Sequence, residues 1–226
     1  MHGVTVFTDE VISSRLKMLI SVAATALLGA TVGATVLSAP ASASPAPVSP
    51  TPTASPGLGA PTGACVIDPD NTEVTVQSLR HGCSSEQIMD LYLQASAGQA
   101  PTGTKTIVLL PVFEVRGKPI SYGTAKALTT TQNLLGDSLT FTAGPNNTPW
   151  VYKDYIWGRD AGGELVFGDS RIDGRPAWSA DFSRDFGGRP ISLHEYRKLT
   201  DDLWIGRDIG GGQSTNGHTG GAFALY

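Results

Sequence analysis

The rhythm of apolar and polar positions changes along this chain, and each change marks a different kind of segment. Met18–Leu37 is a nearly unbroken apolar run rich in Ala, Leu, Val, Gly and Thr. Pro40–Gly63 then carries seven of the chain's fifteen prolines among Ala, Ser and Thr, with little to bury. From Ser84 to Gly98 the apolar positions return at helical spacing. Ile88, Leu91, Tyr92 and Ala95 share a face, Ser84 or Ser85 can cap it, Ser84 with Gln87 makes a capping box, and Gly98 supplies a stop. The spacing predicts one helix there. Val74 and Val76 before it alternate like a short strand.

After Gly98 the period falls to two. Thr106–Val115, Ser138–Ala143, Trp150–Trp157, Leu165–Phe167, Ala177–Phe182, Ser192–Leu199, Leu203–Ile209 and Ala222–Tyr226 read as strands. Gly, Pro, Asn and Asp punctuate them, with Asp173-Gly174 suited to a tight hairpin and Thr200-Asp201-Asp202 linking two strands that should pair. Many short strands at such intervals predict a mainly β protein, an antiparallel barrel with one amino-terminal helix. Within Ser192–Leu199, alternation puts Leu193, Glu195, Arg197 and Leu199 on one face and His194, Tyr196 and Lys198 on the other. Two charges among leucines suggest that Glu195 and Arg197 point into the interior or sit at a barrel rim. Asp181, on a neighbouring strand, is then within reach of Arg197.

The first sixty residues read as an address and a tether. Arg15 and Lys17 precede the apolar run, and Ala41-Ser42-Ala43 follows it, the order of a secretory signal over residues 1–43. A retained anchor is the alternative, since the run is just long enough to span a bilayer. Residues 44–63 read as an extended linker and 64–226 as the barrel. The formal charge of −4 and the lack of a basic, aromatic-studded patch exclude nucleic acid as an expected partner and argue against electrostatic membrane docking. After cleavage no membrane insertion is expected, and the protein is expected outside the cell. Cys65 and Cys83 are the only cysteines, and in an exported chain they are read as one disulfide. Its loop of about 18 residues corresponds to about 3 kcal/mol. The histidines are scattered and lack metal-ligand spacing, so neither a metal nor a cofactor is expected.

The last third carries a family resemblance. Asp173-Gly174-Arg175-Pro176, Ala180-Asp181-Phe182-Ser183, His194-Glu195-Tyr196-Arg197-Lys198-Leu199, Leu203-Trp204-Ile205-Gly206-Arg207 and the closing Phe223-Ala224-Leu225-Tyr226 occur in this order. They resemble a family of bacterial and fungal proteins with a lipocalin-like, calycin-type barrel. Its motifs run D-G-R-P, D-E-I-R-E and G-L-Y-L-G. His194 and Lys198 stand where that family has acids, while Glu195 and Arg197 keep its pattern. The resemblance implies a bacterial barrel with a cavity and carries no reaction with it.

A small barrel can hold one ligand in its mouth. Tyr155, Trp157, Trp178 and Trp204 are the candidate lining, with Asp181, Glu195 and Arg197 as polar contacts. The leading expectation is a secreted module binding a small apolar or amphipathic molecule. The alternatives are a barrel isomerase or hydrolase using Asp181, Glu195 or His194, and an envelope protein whose surface binds another protein. No G-x-S-x-G elbow is present, and Gly210–Gly221, with Gln213, Ser214, Asn216 and His218, has no G-K-[ST] and so does not read as a phosphate loop. Oligomeric state is left open.

Overall fold

The structure, a computed structural model, describes residues 63–129, 136–155, 157–210 and 219–226. The expected signal (1–43), most of the linker and the glycine-rich 211–218 with His218 lie outside the described residues.

Among the described residues, ten antiparallel strands interleave with three helices, two of which precede the first strand. They are β1 (Gly103–Val115), β2 (Lys118–Pro119), β3 (Ser138–Ala143), β4 (Pro149–Tyr155), β5 (Gly158–Arg159), β6 (Gly163–Asp169), β7 (Pro176–Asp181), β8 (Leu193–Lys198), β9 (Trp204–Asp208) and β10 (Gly220–Leu225). Eight of them run in the order β10-β9-β8-β7-β6-β4-β3-β1, and β10 pairs back onto β1 from Ile107↔Leu225 to Glu114↔Gly220. That closure makes the mainly β barrel that period-two patterning predicts, and it leaves no open edge in the circuit. Pro111 sits where the β1–β10 register shifts, between Leu110 and Phe113, a place where a strand tolerates a missing N–H.

The helices depart from the expectation of one. Residues Thr72–His81 form α1 rather than a strand around Val74 and Val76. Asn71 caps it by accepting from the Val74 N–H, and Thr75, Val76 and Leu79 turn inward at helical spacing. Ser85–Gln94 forms α2 with the capping box of Ser84 and Gln87 intact. Tyr122–Thr129 forms α3, whose first turn is satisfied by Ser121 Oγ. Cys65 and Cys83 are joined as a disulfide, which ties the segment before α1 to the start of α2.

Alternation along the strands builds two cores. Ile107, Leu139, Phe141, Val151, Leu165, Ala180, Phe182, Tyr196, Trp204, Phe223 and Leu225 fill the barrel. Val108, Leu110, Val112, Leu203, Ile205, Ala222 and Ala224 point outward and are covered by Val76, Leu79, Ile88 and Tyr92 of α1 and α2. The barrel filling is aromatic: Phe141, Phe223 and His194 ring Tyr196 at centroid distances of 5.6, 5.8 and 6.0 Å. Gly206 makes room for this, since a Cβ there would meet the Phe223 ring at 2.3 Å.

Candidate functional site

The sequence-derived candidates fall in three separate places. Glu195 and Arg197 are fully buried, but on the outer wall, because α2 packs against that face of β8. This corrects the expectation that they point inward. Glu195 Oε2 accepts from Tyr92 Oη at 2.9 Å and from Ser170 Oγ at 2.5 Å, and Oε1 accepts from the Arg171 N–H at 2.7 Å. Arg197 donates to both oxygens of Asp173 at 2.8 and 2.5 Å, and to the carbonyls of Tyr92 and Arg175. Its guanidinium lies 4.6 Å from the centre of the Tyr92 ring. Arg175 reaches the Leu93 carbonyl from the same turn. That turn joins β6 to β7 and depends on Gly174, whose φ is 71°. So the D-G-R-P turn and the E-x-R of β8, which carried the resemblance, meet as one clasp on α2. The Arg197 pair holds the Asp173 carboxyl below its ordinary range, against burial, which acts the other way.

Asp181 does not join Arg197. It is exposed, and its side chain accepts from the Ser183 N–H. It borders an outer depression of about 410 Å³ that also meets Glu164, Arg171 and Arg184. A second depression, of about 270 Å³, lies between α2 and the β1–β2 hairpin. Both are outside the barrel.

Trp178 and Trp204 face inward at one end. Their indole N–H groups donate to the carbonyls of Gly98 and Gln99 at 3.2 and 2.9 Å, Ala100 packs on the interior cluster, and the Ser96 carbonyl accepts from the Lys198 N–H. The segment entering β1 thus closes this end of the barrel.

The opposite end, the mouth, has a different chemistry. Tyr155 and Trp157 stack there at 4.7 Å with an interplanar angle of 8°, and Phe186 meets Tyr155 edge-on. Tyr155 Oη donates to Asp185 Oδ2 at 2.9 Å, and the Gly162 N–H donates to Asp185 Oδ1. Behind them the inner faces of β4, β8 and β9 bring Lys153, His194, Tyr196 and Asp208 together. Asp208 Oδ2 lies 3.6 Å from His194 Nε2 and accepts from Ser192 Oγ at 3.3 Å. His194 is 1 % exposed, and burial pushes its imidazole below the ordinary value. Burial likewise raises the Asp185 carboxyl. Asp208 is held low although burial opposes this, because His194, Lys153 and the Gly210 N–H all favour the carboxylate. Lys153 is 8 % exposed, and burial pushes its ammonium down while Asp208 and Asp185 act to hold it up. His194 Nδ1 and Tyr196 Oη are buried with no hydrogen-bond partner among the described residues.

Of the candidates, the mouth therefore gathers Tyr155 and Trp157, with His194 from the enzyme alternative. Lys153, Asp185, Tyr196 and Asp208 escaped the sequence reading. A signal for Lys153 was present: it sits between Val151 and Tyr155 on the apolar period of β4, the wrong place for a solvated lysine. Among the described residues no group of three or more His, Cys, Asp or Glu is placed to hold a metal ion. No described helix is long and apolar enough to cross a membrane. The disulfide suits an oxidising compartment.

No protein-family model, curated protein or solved structure matches this chain.

Proposed function

We propose that this protein is exported and binds one small amphipathic molecule at the mouth of its barrel. The observation that carries the reading is a pair of inward groups, His194 Nδ1 and Tyr196 Oη, without a partner among the described residues in a wall otherwise packed with rings. A buried donor or acceptor left unpaired costs about 1–3 kcal/mol, so such groups mark where a further partner belongs. An aromatic or apolar body fits the Tyr155–Trp157 stack, and a polar end directed inward completes the bonds that the barrel leaves open. The outer clasp is more fully engaged: the carboxylate of Glu195 and both terminal nitrogens of Arg197 have partners, and its Arg197 Nε, buried without one among the described residues, lies under α2 and not at a barrel opening. For the enzyme alternative, Asp181 and Glu195 are thereby removed and His194 alone remains. The docking-protein alternative gains little: the large apolar side chains exposed among the described residues are Val66, Val74, Val166, Phe167 and Ile191, a dispersed set with one adjacent pair.

Native mass spectrometry of the exported protein tests the reading. The expected result is a retained small-molecule mass that disappears in Trp157→Ala and Tyr196→Phe variants of unchanged fold. A ligand retained equally by both variants places the site elsewhere.

A further inference from the structure

Taking the mouth as a ligand site, we infer that its occupant is an aldehyde or ketone and that Lys153 holds it as an imine. Lys153 rises from the inner face of β4 into the mouth, 8 % exposed, and its side chain makes no ion pair or hydrogen bond among the described residues. Its Nζ instead lies 5.3 Å from the centre of the Tyr155 ring. Lysines are almost never buried without a partner, and a desolvated amine is the form that attacks carbonyl carbon. Burial pushes the ammonium of Lys153 towards that neutral form.

The surroundings select the carbonyl class. Asp208 and Asp185 both act on Lys153, and Asp160 acts on Asp185, so the mouth is acidic and repels a carboxylate or phosphate ligand. A neutral carbonyl compound enters without that repulsion. The Nζ lone pair forms the C–N bond while the carbonyl π pair moves to oxygen. The oxygen takes one proton, the nitrogen loses one, and after a second protonation the oxygen leaves as water. Tyr155 Oη, the Asp185 carboxyl and His194 stand around the mouth as proton carriers, and no oxidant or reductant is involved. When the imine is protonated, its positive charge sits where the ammonium sat, over the Tyr155 ring and in the field of Asp208 and Asp185. The acidic groups that exclude an anion thus stabilise this cation.

The test incubates the exported protein with 4-methoxybenzaldehyde and sodium cyanoborohydride, followed by intact mass and peptide mapping. The expected result is a single reduced adduct on Lys153, formed at least about tenfold faster than on Lys105, Lys118, Lys126 or Lys198, and lost in both Lys153→Met and Lys153→Arg. Adducts spread over those other lysines with Lys153 unmodified overturn the inference. The parallel arm uses 4-methoxybenzyl alcohol, which cannot form an imine, with tryptophan fluorescence as readout in the parent protein and in Trp157→Phe. Trp157-dependent quenching by the alcohol without a Lys153 adduct sinks the imine and leaves the binding site standing. Neither quenching nor adduct sinks both.

Discussion

β8 carries two sets of polar side chains on its two faces, and their treatment is opposite. Outward, the Glu195 carboxylate and both terminal nitrogens of Arg197 are engaged by Tyr92, Ser170, Arg171 and Asp173, and Arg197 Nε is left without a partner among the described residues. Inward, His194 and Tyr196 each keep a buried atom without a partner among the described residues. Burial is the same on both sides, since all four are at most 1 % exposed. What separates a fastener from a candidate site is therefore how fully the charged ends are engaged, not how deeply a charge is buried or how unusual it looks in a strand. Removing one member of a saturated pair strands its partner. Removing a member of an unsaturated set leaves the fold little worse, or better.

The sharpest way to break this contrast is Arg197→Met. It leaves Asp173 facing the buried clasp, and the expected loss is about 3–5 kcal/mol in urea denaturation. A loss below about 1 kcal/mol puts the clasp among ordinary surface pairs and removes the contrast. Next in size is reduction of Cys65–Cys83, which frees the start of the helix that the clasp grips. Stability should fall by about 3 kcal/mol, while reductive trapping at Lys153 is unchanged. Third, Lys153→Met is expected to be neutral or to gain about 1 kcal/mol at neutral pH, because it removes a charge buried without an ion pair among the described residues. The folded-state value of Lys153 lies below its ordinary 10.5, so the parent carries the burial penalty at lower pH and sheds it as pH rises towards 10.5. The gap between parent and variant should close over that interval, and a gap that widens instead refutes the assignment.

The smallest effect lies on the acid side and separates the two faces by pH. His194 titrates below 6.5 in the folded state, so its contribution is full above 6.5 and is lost as pH falls through it towards the folded value. Asp173 titrates below 3.8, so its contribution is full above 3.8 and is lost only as pH falls further. His194→Phe should flatten the stability profile between pH 7 and the carboxylate range by about 1 kcal/mol. It should leave the acid limb below 3.8 in place.

Period-two alternation broken by Gly, Asp and Asn made the strands and the closing barrel legible, and the two faces of Ser192–Leu199 were separated correctly. Which face looks inward was not legible. Both mix polar and apolar residues, and the decision lies with α2, whose Tyr92 meets Glu195 across 103 positions of chain. Val74 and Val76 misled because two valines do not fix a period: in the helix capped by Asn71 they lie on different faces, Val76 turning inward with Leu79 three on while Val74 is exposed. Tyr155 and Trp157 at the mouth were visible as aromatics in a strand. Asp185 and Asp208 were not, because each acts through neighbours on other strands and turns, and Lys153 left only the trace of a charge on the apolar period of β4.

The seal made by Gly98 and Gln99 over the two indoles has a consequence for traffic. With that end sealed, a molecule held as proposed would meet the barrel at its mouth. It would leave by the doorway it entered, so arrival and departure would take turns at one rim. A tail too long for that rim would stay in view of the solvent, where another molecule could take hold of it.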